Sequence, residues 1–271
     1  MKDRPAPAAD AADRAVELHR RYRGKLQTAA KVPMTDFADL AIWYTPGVAA
    51  ASRAIAADRD QAYELTNRAN TVAIVSDGSR VLGLGNIGAE AALPVMEGKA
   101  VLFKHFGGVD AVPLCLEVTG AERIVDIVTA LAPSFGAVNL EDIATPKCFR
   151  VLDALRADLP IPVWHDDQQG TATAVLAGLL SALEVVGKRL GNVRIALVGI
   201  GAANMAVYRL LKSQGIAPEA ILACDSRGLL HGKREDLKRQ QETLIEKWQV
   251  CCETNPDCAE GGIAEALAGA D

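Results

Sequence analysis

The chain alternates between short apolar runs and longer stretches in which apolar residues recur at helical spacing. The short runs predict buried strands at residues 71–76, 111–118, 136–140, 161–165, 193–199 and 220–225. The helical spacing predicts helices over 121–131 and 147–157, and a nearly uncharged helix over 170–188 that we expect to be deeply buried. Strands that alternate with helices are typical of an α/β protein with a parallel sheet.

Length and composition narrow this picture. A chain of 271 residues has room for two domains, and the Ala- and Pro-rich start predicts a disordered tail of roughly the first 12 residues. The net charge of −5 and the aromatic content of 4% argue against a nucleic-acid partner. No stretch reaches the ~18 apolar residues of a membrane span, and the N-terminus lacks a signal core. We therefore predict a cytoplasmic protein that binds neither membranes nor nucleic acid.

The six cysteines follow no paired spacing and predict free thiols. Cys251, Cys252 and Cys258 lie near one another, but no second CxxC or nearby histidine completes a zinc site.

The fifth predicted strand runs into a glycine-rich turn with the order of a dinucleotide-binding motif. Gly199 allows a tight turn, and Gly201 allows the backbone to approach a pyrophosphate at the start of the next helix. Ala202 and Ala203 follow, and Asn204 occupies the third glycine position, where we expect it to loosen the packing of helix on strand. Asp225 ends the sixth strand about 20 residues further on, at the place of the acid that binds the adenosine ribose. An ordinary strand-turn-helix is the alternative interpretation.

The coenzyme could be NAD or NADP, and NAD is slightly favoured. Asp225 would repel a 2′-phosphate, yet Arg227 lies two residues on and could accept one.

Acidic residues follow three strands of the first half. They are Asp77, the pair Glu141 and Asp142, and the pair Asp166 and Asp167. Because the carboxyl ends of parallel strands share one edge, these carboxylates would converge, and oxygen ligands suit Mg²⁺ or Mn²⁺. Acidic pairs are also common on protein surfaces, and spacing alone does not decide between the two interpretations.

Tyr44 and Lys99 have ordinary explanations when taken alone. Tyr44 precedes Thr45 and Pro46, which are typical of an N-cap and a first helical position. Lys99 lies in an apolar run, where a lysine usually extends its ammonium group to water.

Six motifs taken together resemble the malic enzymes, particularly the shorter bacterial type, over nearly the whole chain after residue 20. They are WYTPGVA (43–49), SDGSRVLGLGNIG (76–88), PVMEGKAVLFKHFGG (94–108), NLEDI (139–143), HDDQQGTA (165–172) and VGIGAAN (198–204). The resemblance implies oxidative decarboxylation of L-malate to pyruvate and CO₂ with NAD(P)⁺ and a divalent metal. It also implies a homodimer or higher homo-oligomer.

The resemblance also implies roles for individual residues. Glu141, Asp142 and Asp167 are the expected ligands of Mg²⁺ or Mn²⁺. Lys99 is the expected general base, and Asp166 is its orienting partner; such a lysine needs a lowered pKa. Tyr44 is the expected acid that protonates C3 of the enolate, and Arg80 is expected to hold a substrate carboxylate.

The resemblance implies a domain division as well. Residues 1–165 form the malate and metal domain, and residues 166–271 form a Rossmann-type dinucleotide domain that we expect to be incomplete, with its C-terminal part missing. Malolactic enzyme or oxaloacetate decarboxylase activity on the same fold is one alternative. A non-catalytic remnant that only dimerises or binds metal is another.

Overall fold

The computed structural model describes residues 8–271, with side chains from residue 11 onward. The expected α/β class is confirmed, with parallel strand pairing. The predicted disordered tail lies partly outside the described residues, and a helix begins at Ala8.

The first half of the chain holds seven helices and three strands among the described residues. Their bounds are α1 (Ala8–Tyr22), α2 (Phe37–Trp43), α3 (Val48–Ala57), α4 (Gln61–Leu65), β1 (Thr71–Ser76), α5 (Ala89–Gly107), β2 (Asp110–Cys115), α6 (Ala121–Leu131), β3 (Ala137–Leu140) and α7 (Lys147–Asp158).

The second half continues with strand β4 and a π-helical turn over Asp166–Gly170. The remaining bounds are β4 (Val163–His165), α8 (Thr171–Val185), β5 (Ile195–Val198), α9 (Ala202–Ser213), β6 (Ile221–Asp225), β7 (Gly228–Leu229), α10 (Glu235–Lys238), α11 (Ile245–Glu253) and α12 (Ile263–Leu267). The strands form two sheets, in the orders β2-β1-β3-β4 and β5-β6-β7.

The chain separates into two compact units that a single cut does not divide. The first unit holds the residues up to Val118 together with 127–139 and 159–162. The second unit holds 119–126, 140–158 and 163–271. The domain boundary at residue 165 stays a prediction.

The core of the first unit lies between β1 and α5. Ile74 on β1 and Met96 and Ala100 on α5 are buried together. β1 and β2 pair in parallel, from Thr71 opposite Asp110 to Ser76 opposite Cys115. The apolar run predicts a second strand that extends to residue 118, but β2 ends at Cys115, because β1 ends at Ser76 and offers no further partner.

Gly78 makes possible the tight loop that follows β1. Gly78 has φ +66°, and a Cβ placed there would lie 2.1 Å from the carbonyl oxygen of Gly88. Only glycine therefore lets the loop that follows β1 close on itself.

Thr45 and Pro46 do not begin a helix, contrary to the prediction. The Gly47 N–H donates to the carbonyl of Ala41, and α3 begins at Val48.

In the second unit, β5 and β6 pair in parallel, and β7 adds an antiparallel edge that the sequence pattern does not predict. Cys224, Leu229 and Ala266 form a buried cluster on this sheet. Strand β7 contains two residues, which is too few for an alternating pattern to indicate a strand.

The prediction that the long apolar helix is deeply buried is wrong. α8 ends at Val185, and only Ala172 and Leu183 along it are buried. Val175 and Leu180 are 44% and 46% exposed. Within its own unit α8 packs on α9 and on the π-helical turn. Apolar composition states what a helix could bury, whereas the elements packed against it decide what it does bury.

No helix among the described residues is long and apolar enough to cross a membrane. All six cysteines are free thiols, as predicted.

Candidate active site

Two buried carboxylates follow β3. Glu141 and Asp142 are each 6% exposed, although charged side chains are rarely buried without a partner. Asp142 has φ +56°, a left-handed conformation that Asp tolerates better than most residues other than Gly. Such backbone conformations persist where the surrounding structure enforces them, and they cluster at functional sites.

The acids that follow β4 lie close to those that follow β3. The backbone N–H of Asp142 donates to Oδ2 of Asp167 at 3.0 Å, which joins two positions 25 residues apart. Asp166 and Asp167 open the π-helical turn, whose start is tied down by a 2.7 Å hydrogen bond from the His165 N–H to Oε1 of Gln169. Burial lowers the pKa of His165 despite these two carboxylates, which favours the neutral imidazole.

Gly170 ends this turn and leaves the space that Asp166 occupies. A Cβ on Gly170 would lie 2.5 Å from Oδ1 of Asp166. Its backbone dihedrals, φ −60° and ψ −53°, are ordinary helical values, so glycine is needed here for space and not for conformation. The sequence does not single out this residue, because a glycine before a helix also fits a plain helix start.

The donor chemistry of the second unit fits a hard divalent cation. Glu141, Asp142 and Asp167 offer only carboxylate oxygens, the donors that Mg²⁺ and Mn²⁺ prefer. Within residues 8–271, however, no three acidic, His or Cys side chains are gathered closely enough to hold one metal ion. The structure brings Asp142 and Asp167 together, and the assignment of the complete ligand set stays a prediction.

The other predicted catalytic residues belong to the first unit. Lys99 lies half-buried on α5, beside the buried Met96 and Ala100. Tyr44 follows α2, and its side chain is 69% exposed. Arg80 is exposed in the loop after β1.

Asp77 anchors that loop at the end of β1. Its carboxylate is buried and accepts hydrogen bonds from the Ser79 N–H at 3.1 Å and the Ser79 hydroxyl at 2.6 Å. These contacts form a local turn just before Arg80.

The glycine-rich turn of the second unit has the geometry of a dinucleotide site. Gly199 has φ +83°, and Gly201 precedes α9 without a side-chain cap. A Cβ at either glycine would meet no atom within 4 Å among the described residues, so a ligand can approach the backbone. The N–H groups of the first turn of α9, which includes Ala202 and Ala203, are the donors that such sites offer to phosphate.

Asn204 strengthens this turn, contrary to the expectation that it loosens the packing. Its Nδ2 donates to the carbonyls of Val198 at 3.0 Å and Gly199 at 2.8 Å. The side chain thus ties the first turn of α9 to the end of β5. A glycine at this position could not do so.

Asp225 ends β6 beside the turn, because the Gly199 N–H donates to the carbonyl of Cys224 at 2.9 Å. Lys247 Nζ approaches Asp225 Oδ2 at 2.5 Å, and Arg234 contacts both carboxylate oxygens at 3.3 Å. Burial raises the pKa of Asp225, but these cations and the Arg227 N–H outweigh it and hold the pKa below its usual value. The carboxylate is therefore charged and already hydrogen-bonded by the protein.

A parallel βαβ unit with a glycine turn, a helix N-terminus and an acid after the second strand defines an α/β protein with a dinucleotide-binding domain. Residues 23–123 match the malic enzyme N-terminal domain family, and residues 168–264 match the malic enzyme NAD-binding domain family. The chain belongs to the malic enzyme family.

Similar proteins cover this chain almost entirely, whereas the chain spans only part of each of them. The NAD-dependent malic enzyme of Geobacillus stearothermophilus is 46% identical over all of this chain and 54% of its own length. The NADP-dependent malic enzyme of Rhizobium meliloti is 42% identical over 96% of this chain and 33% of its own length. The crystal structure of the malic enzyme from Pyrococcus horikoshii Ot3 superposes with a TM-score of 0.91 at 46% identity, over 96% of this chain and 61% of that one.

Proposed function

We propose that the chain catalyses the oxidative decarboxylation of L-malate to pyruvate and CO₂ with reduction of NAD(P)⁺. The observation that carries the proposal is the buried acid pair Glu141 and Asp142, whose backbone is bound to Asp167, in a member of the malic enzyme family. An acidic pair on the protein surface would be exposed, whereas both residues of this pair are buried.

Glu141, Asp142 and Asp167 are the residues that would hold Mg²⁺ or Mn²⁺. When bound, the cation would supply Lewis-acid stabilisation of the negative charge that develops on malate oxygens. The Asp142 N–H fixes one oxygen of Asp167, which reduces the side-chain freedom that binding would otherwise remove.

Lys99 would take the proton of the C2 hydroxyl, and the nicotinamide, when bound, would supply the hydride acceptor for C2. Its half-buried position on α5 and its place in the motif PVMEGKAVLFKHFGG support this role. The role of Asp166 as the orienting partner of the lysine stays a prediction; within its own unit, Gly170 gives the Asp166 carboxylate the room it occupies.

Tyr44 donates a proton to C3 after CO₂ has left, which converts the enolate of pyruvate to pyruvate. Its exposed position and its place in the WYTPGVA motif support this assignment. Arg80 holds a substrate carboxylate, for which the planar guanidinium offers two parallel donors.

The coenzyme pyrophosphate binds at the turn formed by Gly199, Gly201 and the start of α9. The open space at both glycines and the Asn204 hydrogen bonds support this placement.

A direct test is to incubate the 271-residue chain with L-malate, Mn²⁺ and either NAD⁺ or NADP⁺ and to follow absorbance of the reduced coenzyme. We expect reduction that requires both malate and metal, with pyruvate as the product. Lys99→Ala should abolish reduction without weakening Mn²⁺ binding. Lys104→Ala is the matched control on the same helix, because Lys104 pairs with Asp110 at the surface and should keep full activity.

The alternatives give different outcomes. Lactate in place of pyruvate would identify a malolactic reaction. If the chain binds Mn²⁺ but reduces neither coenzyme, the proposal fails and the chain is a metal-binding remnant. Size-exclusion chromatography with light scattering tests the expected homodimer, which stays a prediction.

A further inference from the structure

The cluster of charges around Asp225 bears on which coenzyme the turn accepts, and the inference drawn from it rests on the proposed dinucleotide site. In a βαβ unit of this kind, an acid at the end of the second strand binds the adenosine ribose of NAD, whereas a nearby arginine accommodates the 2′-phosphate of NADP. This chain has both, since Asp225 ends β6 and Arg227 follows two residues later.

Both oxygens of Asp225 are occupied by donors of the protein. Oδ1 accepts from the Arg227 N–H at 2.9 Å and from Arg234 Nη1 at 3.3 Å. Oδ2 accepts from Lys247 Nζ at 2.5 Å and from Arg234 Nη2 at 3.3 Å. A carboxylate offers about four acceptor positions, so ribose hydroxyls could bind only by displacing one of these donors.

Arg234 is the structural partner of this carboxylate. Its side chain is 11% exposed and forms paired hydrogen bonds with Asp225 and with Asp236. It also donates to the carbonyl of Leu229 at 3.2 Å. The five donors of the guanidinium are thereby committed to the protein, and the residue is not available to a ligand.

Arg227, in contrast to Arg234, is exposed and makes few hydrogen bonds with the protein. Its side chain is 71% exposed, and within the described part of the chain it makes one side-chain hydrogen bond, from Nη1 to Oδ2 of Asp236 at 3.3 Å. A guanidinium has five donors, so most of its capacity can serve a ligand. Its exposure and its place two residues after Asp225 together make Arg227 the residue that can meet a ribose substituent.

The charges of the cluster favour an anion. The cations Arg227, Arg234 and Lys247 are joined to two carboxylates, those of Asp225 and Asp236, which leaves one positive charge in excess. The repulsion that Asp225 would exert on a 2′-phosphate is therefore offset by its own partners.

We propose that the ribose subsite of this chain recognises a 2′-phosphate through Arg227, with Asp225 acting as the anchor of Arg234 and Lys247, so that the phosphorylated coenzyme NADP is preferred over NAD. The slight preference for NAD that Asp225 indicates in the sequence is thereby reversed.

The test is calorimetric titration of the 271-residue chain with two fragments, adenosine 5′-monophosphate and adenosine 2′,5′-bisphosphate. The bisphosphate should bind about tenfold more tightly, as expected for a new hydrogen bond between charged groups. Arg227→Ala should remove this preference and leave the affinity for the monophosphate within about twofold. The preference should also shrink as ionic strength rises, because the contact is exposed.

Arg239→Ala is the matched control, since it removes the same charge from an exposed position of the same segment outside the cluster. Equal affinities for the two fragments, tighter binding of the monophosphate, or an equal loss in Arg239→Ala would each overturn the inference. Binding of neither fragment would instead refute the dinucleotide site itself, and the inference would fall with it.

Discussion

Replacement of Gly170 by alanine should displace the carboxylate of Asp166 with little effect on the stability of the fold. Gly170 has helical dihedrals at the start of α8, so alanine is allowed there, and helix propensity alone would favour it by about 1 kcal/mol. The opposing effect is steric, because the new Cβ would lie 2.5 Å from Oδ1 of Asp166.

The size of the expected effect follows from how far the Asp166 carboxylate must move. Restoring an ordinary contact of 3.4 Å displaces the Asp166 oxygen by about 0.9 Å. The contact is made by the end of a short side chain, so rotation of Asp166 can relieve it, and we expect the free energy of unfolding to change by no more than about 1 kcal/mol. A displacement of about 1 Å in a positioning group costs on the order of a hundredfold in rate.

The assay compares kcat for malate-dependent coenzyme reduction, Mn²⁺ affinity and the thermal midpoint in Gly170→Ala and Gly178→Ala. Gly178 lies on the same helix, and a Cβ there meets no atom within 4 Å among the described residues, so this control should keep full activity and gain stability. Gly170→Ala should lose about a hundredfold in kcat with Mn²⁺ affinity nearly unchanged. Full activity in Gly170→Ala, or an equal loss in Gly178→Ala, would refute the reasoning.

Three further changes have defined outcomes. Asn204→Ala removes two hydrogen bonds to backbone carbonyls and should lower the free energy of unfolding by about 1–3 kcal/mol, as measured by thermal unfolding. It should also weaken the binding of adenosine 5′-monophosphate, as measured by calorimetry; unchanged binding would contradict the role of Asn204 in the turn. Tyr44→Phe should leave the free energy of unfolding within about 0.5 kcal/mol of the wild type, because the side chain is exposed. It should slow protonation of C3, measured as the rate of pyruvate formation; an unchanged rate would contradict the assignment. Burial raises the pKa of Glu253, but hydrogen bonds, chiefly from Lys212, outweigh it and lower the pKa to about 2. Because the pKa of Glu253 is lower in the folded state than in the unfolded state, the stabilisation is present above the unfolded-state pKa and is lost as pH falls toward 2. The difference in thermal midpoint between the wild type and Glu253→Gln should therefore shrink between about pH 5 and pH 2. A difference independent of pH would count against the ion pair.

Periodicity locates most elements of this chain because the pattern of burial is a local property. The predicted strand at 71–76 and helix at 121–131 coincide with β1 and α6. Each of the other predicted strands is present with shifted ends. The ends depend on where a neighbouring strand stops offering partners, as β2 shows at Cys115, and that information lies elsewhere in the chain.

The motifs also predict chemically important positions. The glycine turn at Gly199 is predicted from its order along the chain, and the acids after β3 and β4 are predicted as functional only through the resemblance to the malic enzymes. In the fold, Gly199 has a positive φ, and Glu141 and Asp142 are buried. The sequence by itself thus determined the α/β class, the order of the elements and the membership of the malic enzyme family, because these depend on local patterns and on motifs that can be read in order.

Only the tertiary structure decided how those positions interact. It joined Asp142 to Asp167 across 25 residues, surrounded Asp225 with Arg234 and Lys247, and left much of α8 exposed within its own unit. Hydrogen bonds between distant residues and the burial of an apolar face depend on which elements pack together. Residue types and their spacing do not contain that information, because the same side chain can pair, bind a ligand or face water according to its neighbours in space.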